Sequence, residues 1–153
     1  MHVEPQLFAH CCHLKANVAA ADDDQVGTFL HGSANAVDIV NAVPAQHILF
    51  VPDEHLGNYV QKETDKTIIS WNGNCYVHHQ ITPESIQSIR AEMPQVRVLV
   101  HPECREDVVD LADAVLSTSG MIRYAQESDA DEFLIVTECG LSDRLLLEVP
   151  DKQ

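Results

Sequence analysis

The chain has 153 residues, the size of one ordinary domain, and can bury roughly two-thirds of the surface that its unfolded form exposes. Its 24 acidic and 9 basic residues give a net charge of −15 at pH 7, which argues against binding to nucleic acid or to an anionic membrane. No apolar run reaches the roughly 20 residues of a membrane span, and residues 1–20 lack a signal-peptide pattern, so a cytoplasmic location is expected.

Strand-like apolar runs alternate with helical patterns along most of the chain. The strands are predicted at 47–51, 67–71, 96–101, 114–117 and 133–137. The helices are predicted at 34–43, 55–64, 83–93, 105–111, 120–127 and 141–147, and Thr82 followed by Pro83 is a typical helix start. Because the strand runs are continuously apolar, the pattern predicts an α/β fold with a parallel sheet and helices on both faces.

Two stretches of sequence recur at a nearly constant offset. Residues 49–56 resemble residues 134–141, and residues 33–37 resemble residues 119–122. Such a recurrence indicates duplicated structural units. Residues 1–25 show no comparable pattern and are interpreted as a leader that precedes the α/β region of residues 26–153.

Chemically reactive side chains follow the predicted strands. Cys75 and His78 stand in the sequence Trp-Asn-Gly-Asn-Cys-Tyr-Val-His after the second strand, and His101 and Glu103 flank Pro102 after the third. Because α/β proteins gather their chemistry at the carboxyl ends of parallel strands, these residues predict a functional site.

Each of these residue types suits a particular task. A thiolate such as Cys75 is the ligand that iron–sulfur clusters select, and its turn is expected to leave backbone N–H groups for the cluster sulfurs. A His and Glu pair such as His101 and Glu103 can bind a carboxylate and move protons near neutral pH. Ser33 and Thr118 stand at strand-to-helix junctions, where they are predicted either to cap the helix or to help it bind an anion.

Other polar residues receive plainer interpretations. Reduced, ordinary thiols are expected at Cys11, Cys12, Cys104 and Cys139, because an odd number of cysteines without an export signal gives no disulfide framework. Structural or surface roles are favoured at the strand ends for Asp53, Glu54, His55, Thr137 and Glu138.

The motifs taken together resemble one enzyme family, quinolinate synthase, over residues 26–152. The resemblance rests on motifs in the family's order: Ser33-Ala34-Asn35-Ala36, Val51-Pro52-Asp53, Cys75-Tyr76-Val77-His78, His101-Pro102-Glu103, Ser117-Thr118-Ser119 and Thr137-Glu138. It implies a transferase of NAD and pyridine nucleotide biosynthesis. That enzyme condenses iminoaspartate with dihydroxyacetone phosphate to quinolinate, using a 4Fe-4S cluster.

The resemblance also implies roles for individual residues. Cys75 would be a metal ligand, with two further cluster cysteines expected from missing regions or from a partner. His78, His101 and Glu103 would be catalytic. Substrate binding would involve Ser33, His101, Pro102, Glu103, Ser117 and Thr118.

The family fold consists of three-layer αβα units around a pseudo-threefold axis, and this chain is expected to hold one complete unit plus part of a repeated neighbour. The substrates would be iminoaspartate and dihydroxyacetone phosphate, with an aspartate-oxidising enzyme upstream as a candidate partner. Little or no activity is expected of the isolated chain.

Three alternatives remain open. The chain could be a dicarboxylate-binding module without a cluster, a truncated gene product without a function, or one subunit of a split enzyme whose other chains supply the remaining motifs.

Overall fold

The computed structural model of the protein describes residues 18–19, 26–30 and 35–152. The chain divides into two compact units, of which the first ends at Cys75 and the second begins at Tyr76. In the described part of the chain, no helix is long and apolar enough to span a bilayer.

The first unit contains a four-stranded sheet with strand order β1-β2-β3-β4. Its first pair is antiparallel and the other two pairs are parallel. In chain order the elements are β1 Val18–Ala19, β2 Val26–Leu30, α1 Ala36–Ala42, β3 His47–Val51, α2 Glu54–Lys62 and β4 Thr67–Ser70. Parallel strands joined through helices make this unit α/β, as the sequence predicts.

The core of the first unit lies between the sheet and its two helices. Ile48 and Phe50 of β3 are fully buried and pack with Val40 of α1 and with Leu56 and Val60 of α2. Both helices contribute to this one cluster. The alternating burial along β3 therefore differs from the prediction of a strand covered on both faces.

The close contact between α2 and β4 depends on Gly57. A Cβ atom added at this position would overlap Ser70 Oγ and lie 3.2 Å from Phe50 Cδ1. We expect Gly57→Ala to lower the free energy of unfolding by about 1 kcal/mol, because overpacking costs about 1–3 kcal/mol and exceeds the gain of about 1 kcal/mol in helix propensity. Urea denaturation measures the change.

A second variant tests whether contact with the Ser70 side chain causes the loss of stability in Gly57→Ala. In the Ser70→Gly variant the obstructing side chain is absent, so Gly57→Ala should become neutral or stabilising. An equal loss of stability in both backgrounds would contradict the packing explanation.

The second unit contains a three-stranded, all-parallel sheet with strand order β6-β5-β7. Its elements are α3 Tyr76–His79, α4 Pro83–Glu92, β5 Arg97–Val100, α5 Glu106–Val109, β6 Ala114–Val115, α6 Thr118–Glu127, β7 Phe133–Val136 and α7 Leu141–Glu148.

Both faces of the second sheet are covered. Val98 and Val100 of the central strand β5 pack with residues of α4 and α5, such as Ile86 and Val108. Leu99, on the opposite face of β5, packs with a cluster from α6 and α7 that includes Met121. Burial on both sides explains why this strand is continuously apolar in sequence.

The helices and strands observed after residue 35 agree with the predicted ones, apart from shifts at their ends and the short helix α3, which the sequence analysis did not predict. Strands β1 and β2 were also not predicted. Thr82 caps α4 as expected, since its Oγ1 accepts a hydrogen bond from Ser85 N.

The predicted cap of α6 needs a correction. The cap is Ser117, whose Oγ accepts from Gly120 N at 3.3 Å, whereas Thr118 is the first helical residue. The predicted helix start, residue 120, is two residues too late, and the predicted cap, Thr118, is one residue too late.

Candidate active site

The second unit places polar side chains at the carboxyl edge of its sheet. Val100 of β5 lies opposite Val136 of β7 in parallel register, and His101 N donates a hydrogen bond to Val136 O at 3.0 Å. The residues that follow these strands, His101 and Thr137, therefore emerge at the same edge.

A tight turn after β5 returns Glu103 toward His101. Cys104 N donates to His101 O at 2.9 Å, and Glu103 N donates to His101 Nδ1 at 3.4 Å. Because His101 Nδ1 accepts this hydrogen bond, its neutral ring carries the proton on Nε2. The carboxylate Oε2 of Glu103 lies 4.0 Å from the same Nδ1.

His78 completes a buried group that we call the histidine–glutamate cluster: His78, His101, Glu103 and Thr137. His78 Nε2 lies 2.9 Å from Thr137 Oγ1, and His78 Nδ1 lies 3.1 Å from Glu103 Oε2. The rings of His78 and His101 stack with centroids 4.5 Å apart and planes 10° apart. A single carboxylate therefore lies beside two parallel imidazoles.

This cluster is deeply buried. Only 4% of the surface of His78, 4% of His101 and 7% of Glu103 is exposed. The other buried polar or charged residue in the described part of the chain is Asp53. Burial of ionisable groups is costly unless they interact with one another, so their concentration at one sheet edge is typical of a functional site.

The cluster brings together three residues predicted from the sequence, His78, His101 and Glu103. It also contains Thr137, for which a structural or surface role had been favoured. Its position at the end of a predicted strand was the available signal, but the sequence does not show that β7 is the direct neighbour of β5.

The remaining predicted substrate residues stand apart from these contacts. Pro102, which stands between His101 and Glu103 in the sequence, is buried. Ser117 and Thr118 follow β6 and are half-buried, and within the described residues no hydrogen bond joins them to the cluster. Ser33, with Cys11 and Cys12, lies outside the described residues.

The loop that carries Cys75 belongs to the first unit. Cys75 is half-buried, and its backbone N–H donates to Asp53 Oδ2 at 2.7 Å. Gly73 N donates to Trp71 O at 2.9 Å. The expectation that this turn leaves its N–H groups for cluster sulfurs is therefore wrong at Gly73 and Cys75, since internal acceptors already occupy both.

The cysteines differ in their suitability as metal ligands. Cys104 is buried with its Sγ 3.7 Å from Val136 O, and Cys139 is exposed; neither these nor Cys75 form a disulfide. Cys75, half-buried in an anchored loop, fits one ligand position of an iron–sulfur cluster. In the described part of the chain we find no further cysteine in a comparable setting.

Comparison with known proteins supports the resemblance. The pattern of the family described as "NadA: Quinolinate synthetase A protein" matches residues 12–153. The chain is 48% identical over 121 residues to the quinolinate synthase of Methanosarcina barkeri (strain Fusaro / DSM 804), and this alignment covers 79% of the chain and 40% of that relative. It is 51% identical over 121 residues to that of Thermodesulfovibrio yellowstonii (strain ATCC 51303 / DSM 11347 / YP87), covering 78% and 40%.

A further relative aligns over a similar share of each sequence. The quinolinate synthase of Clostridium novyi (strain NT) is 46% identical over 123 residues, which cover 79% of the chain and 41% of that relative. The chain thus spans about 40% of the length of the curated relatives it matches. Because the family pattern matches residues 12–153, the chain belongs to the quinolinate synthetase A family.

Proposed function

We propose that this chain contributes to quinolinate formation from iminoaspartate and dihydroxyacetone phosphate, a step of NAD biosynthesis. The observation that carries the proposal is the buried histidine–glutamate cluster at the sheet edge of a chain in this family. A buried carboxylate that contacts two imidazoles can hold a proton between them and release it to a bound substrate.

Within this proposal, Glu103 and His101 are the groups that bind a carboxylate of iminoaspartate and move its protons. Condensation and dehydration both need a base that removes a proton from carbon and an acid that protonates a leaving oxygen. Glu103 can accept a proton, and the ring of His101 can donate one from Nε2. His78 Nδ1 lies beside the Glu103 carboxylate, and the hydroxyl of Thr137 contacts His78 Nε2 on the other side of the ring.

The remaining predicted residues serve substrate binding and the cofactor. Pro102 shapes the turn between His101 and Glu103, while Ser117, Thr118 and Ser33 would contact the anionic groups of the substrates. Cys75 would hold a 4Fe-4S cluster together with ligands from other polypeptide. When bound, an iron site open to substrate supplies Lewis-acid assistance to the loss of water.

Anaerobic reconstitution with iron and sulfide tests the proposed role of Cys75. We expect any iron and visible absorbance that the reconstituted chain retains to fall to background in Cys75→Ala. Cys139→Ala should behave as wild type, because Cys139 is an exposed thiol outside the Cys75 loop. Iron analysis and absorbance spectra measure both variants.

The first of two outcomes would count against the role of Cys75, and the second would show that the remaining ligands come from other polypeptide. Equal iron retention by Cys75→Ala and wild type would show that Cys75 is not a ligand. A wild-type chain that retains no iron would show that this polypeptide does not supply enough ligands by itself, and would favour the split enzyme.

A second candidate function is binding of a dicarboxylate without a metal. The observation that favours it is that the histidine–glutamate cluster lies entirely within the second unit. Calorimetry with malate distinguishes the two functions, since binding that persists in Cys75→Ala is independent of any iron–sulfur cluster.

A further inference from the structure

We propose that Asp53 is the positioning residue that sets the backbone of Cys75 for metal ligation. The proposal rests on the proposed function of Cys75. Asp53 directly precedes α2 and is 97% buried, with 3% of its surface exposed. Its Oδ1 accepts a hydrogen bond from Leu56 N at 2.8 Å, and its Oδ2 accepts one from Cys75 N at 2.7 Å. One carboxylate thus joins the start of α2 to the cysteine.

Backbone contacts hold the rest of the loop against the same region. Trp71 N donates to Phe50 O at 2.8 Å, and Glu54 N donates to Gly73 O at 2.7 Å. A Cβ atom added at Gly73 would lie 2.6 Å from Pro52 O, so a side chain at this position would push the loop away. Hydrogen bonds therefore hold the loop at Trp71, Gly73 and Cys75. The bond at Cys75 depends on the Asp53 side chain.

The anchor matters because the backbone of a ligand residue determines where its side chain points. Metal ligands are held in place by the hydrogen bonds behind them, and loss of such a partner typically lowers metal affinity by about 10–100-fold. The charge of Asp53 is placed favourably for this task, since the start of α2 stabilises a nearby carboxylate.

Asp53→Asn separates the two tasks of this side chain. Asparagine caps a helix about as well as aspartate, so the hydrogen bond from Leu56 N can persist. The amide presents one oxygen and an NH2 group, however, and the NH2 group cannot accept from Cys75 N. The variant is therefore expected to keep α2 and lose the anchor at Cys75.

Amide hydrogen exchange measures this separation on the chain as it exists. In Asp53→Asn the Cys75 amide should exchange about tenfold faster or more than in wild type, while the Leu56 amide stays protected. Asp53→Ser, which also keeps a capping oxygen but has a shorter side chain, should behave in the same way. Equal loss of protection at both amides, or no change at Cys75, would reduce Asp53 to a helix cap and overturn the proposal.

Thiol alkylation provides a second readout. With iodoacetamide and peptide mapping, the rate at Cys75 relative to the exposed Cys139 should rise several-fold in both variants, because the loop moves away from α2. An unchanged ratio would overturn the proposal. Neither measurement needs iron, so a failure of Cys75 to bind a cluster would be seen separately, in the Cys75→Ala reconstitution.

Discussion

Replacing Ile48 by alanine is expected to lower the free energy of unfolding of the first unit by about 2–5 kcal/mol. Ile48 is 1% exposed and packs with Phe50 and with residues of both helices of that unit. Its truncation removes buried apolar surface and leaves a cavity that neighbours fill only partly. Urea denaturation followed by far-UV circular dichroism and by hydrogen exchange in β3 measures the loss.

Ile69→Ala is the matched control for this change. Ile69 lies in the neighbouring strand β4 and is 45% exposed, so both substitutions carry the same loss of β propensity. Ile69→Ala should lower the free energy of unfolding by about 1–3 kcal/mol less than Ile48→Ala does. Equal losses would mean that Ile48 is not the buried core residue described above.

Much of the fold could be predicted because apolar runs and helix caps are local signals. The apolar run at residues 96–101 predicts β5, and Thr82 with Pro83 predicts the start of α4. Strand β2 was missed because Gly27 and Thr28 interrupt its apolar character. Helix α3 was missed because a four-residue helix gives no periodic pattern.

The candidate site was predictable to a different extent for each residue. His101 and Glu103 could be selected because they directly follow a strong strand. The contact of His78 with Thr137 depends on β7 lying beside β5, and strand order is not visible in a local pattern. Asp53 was underestimated for a similar reason, since its second acceptor reaches a residue far along the chain.

The second prediction of large effect concerns the carboxylate at the centre of the cluster. Glu103→Gln is expected to weaken binding of malate to the chain at least about 10-fold, and to remove it where wild-type affinity is only millimolar. The carboxylate lies 3.1 Å from His78 Nδ1 and 4.0 Å from His101 Nδ1, where it supports the orientation of both rings toward a bound dicarboxylate. A neutral amide provides no such support. Isothermal titration calorimetry measures the affinity.

Glu106→Gln is the matched control, because it makes the same chemical change on an exposed residue of α5. It should bind malate as the wild type does. Malate binding that is equal in Glu103→Gln and in wild type would show that the cluster does not bind a dicarboxylate through its charge.

The same variant separates binding from proton transfer wherever quinolinate formation is measurable. A residue that moves protons in the reaction typically contributes about 10²–10⁴-fold to the rate, whereas one that only binds substrate raises the affinity and leaves the rate at saturation unchanged. On the proposed role of Glu103 in proton transfer, Glu103→Gln is expected to lower the saturated rate by about 10²–10⁴-fold. A normal saturated rate with weakened substrate binding would assign Glu103 to binding alone and leave proton transfer to the imidazoles beside it.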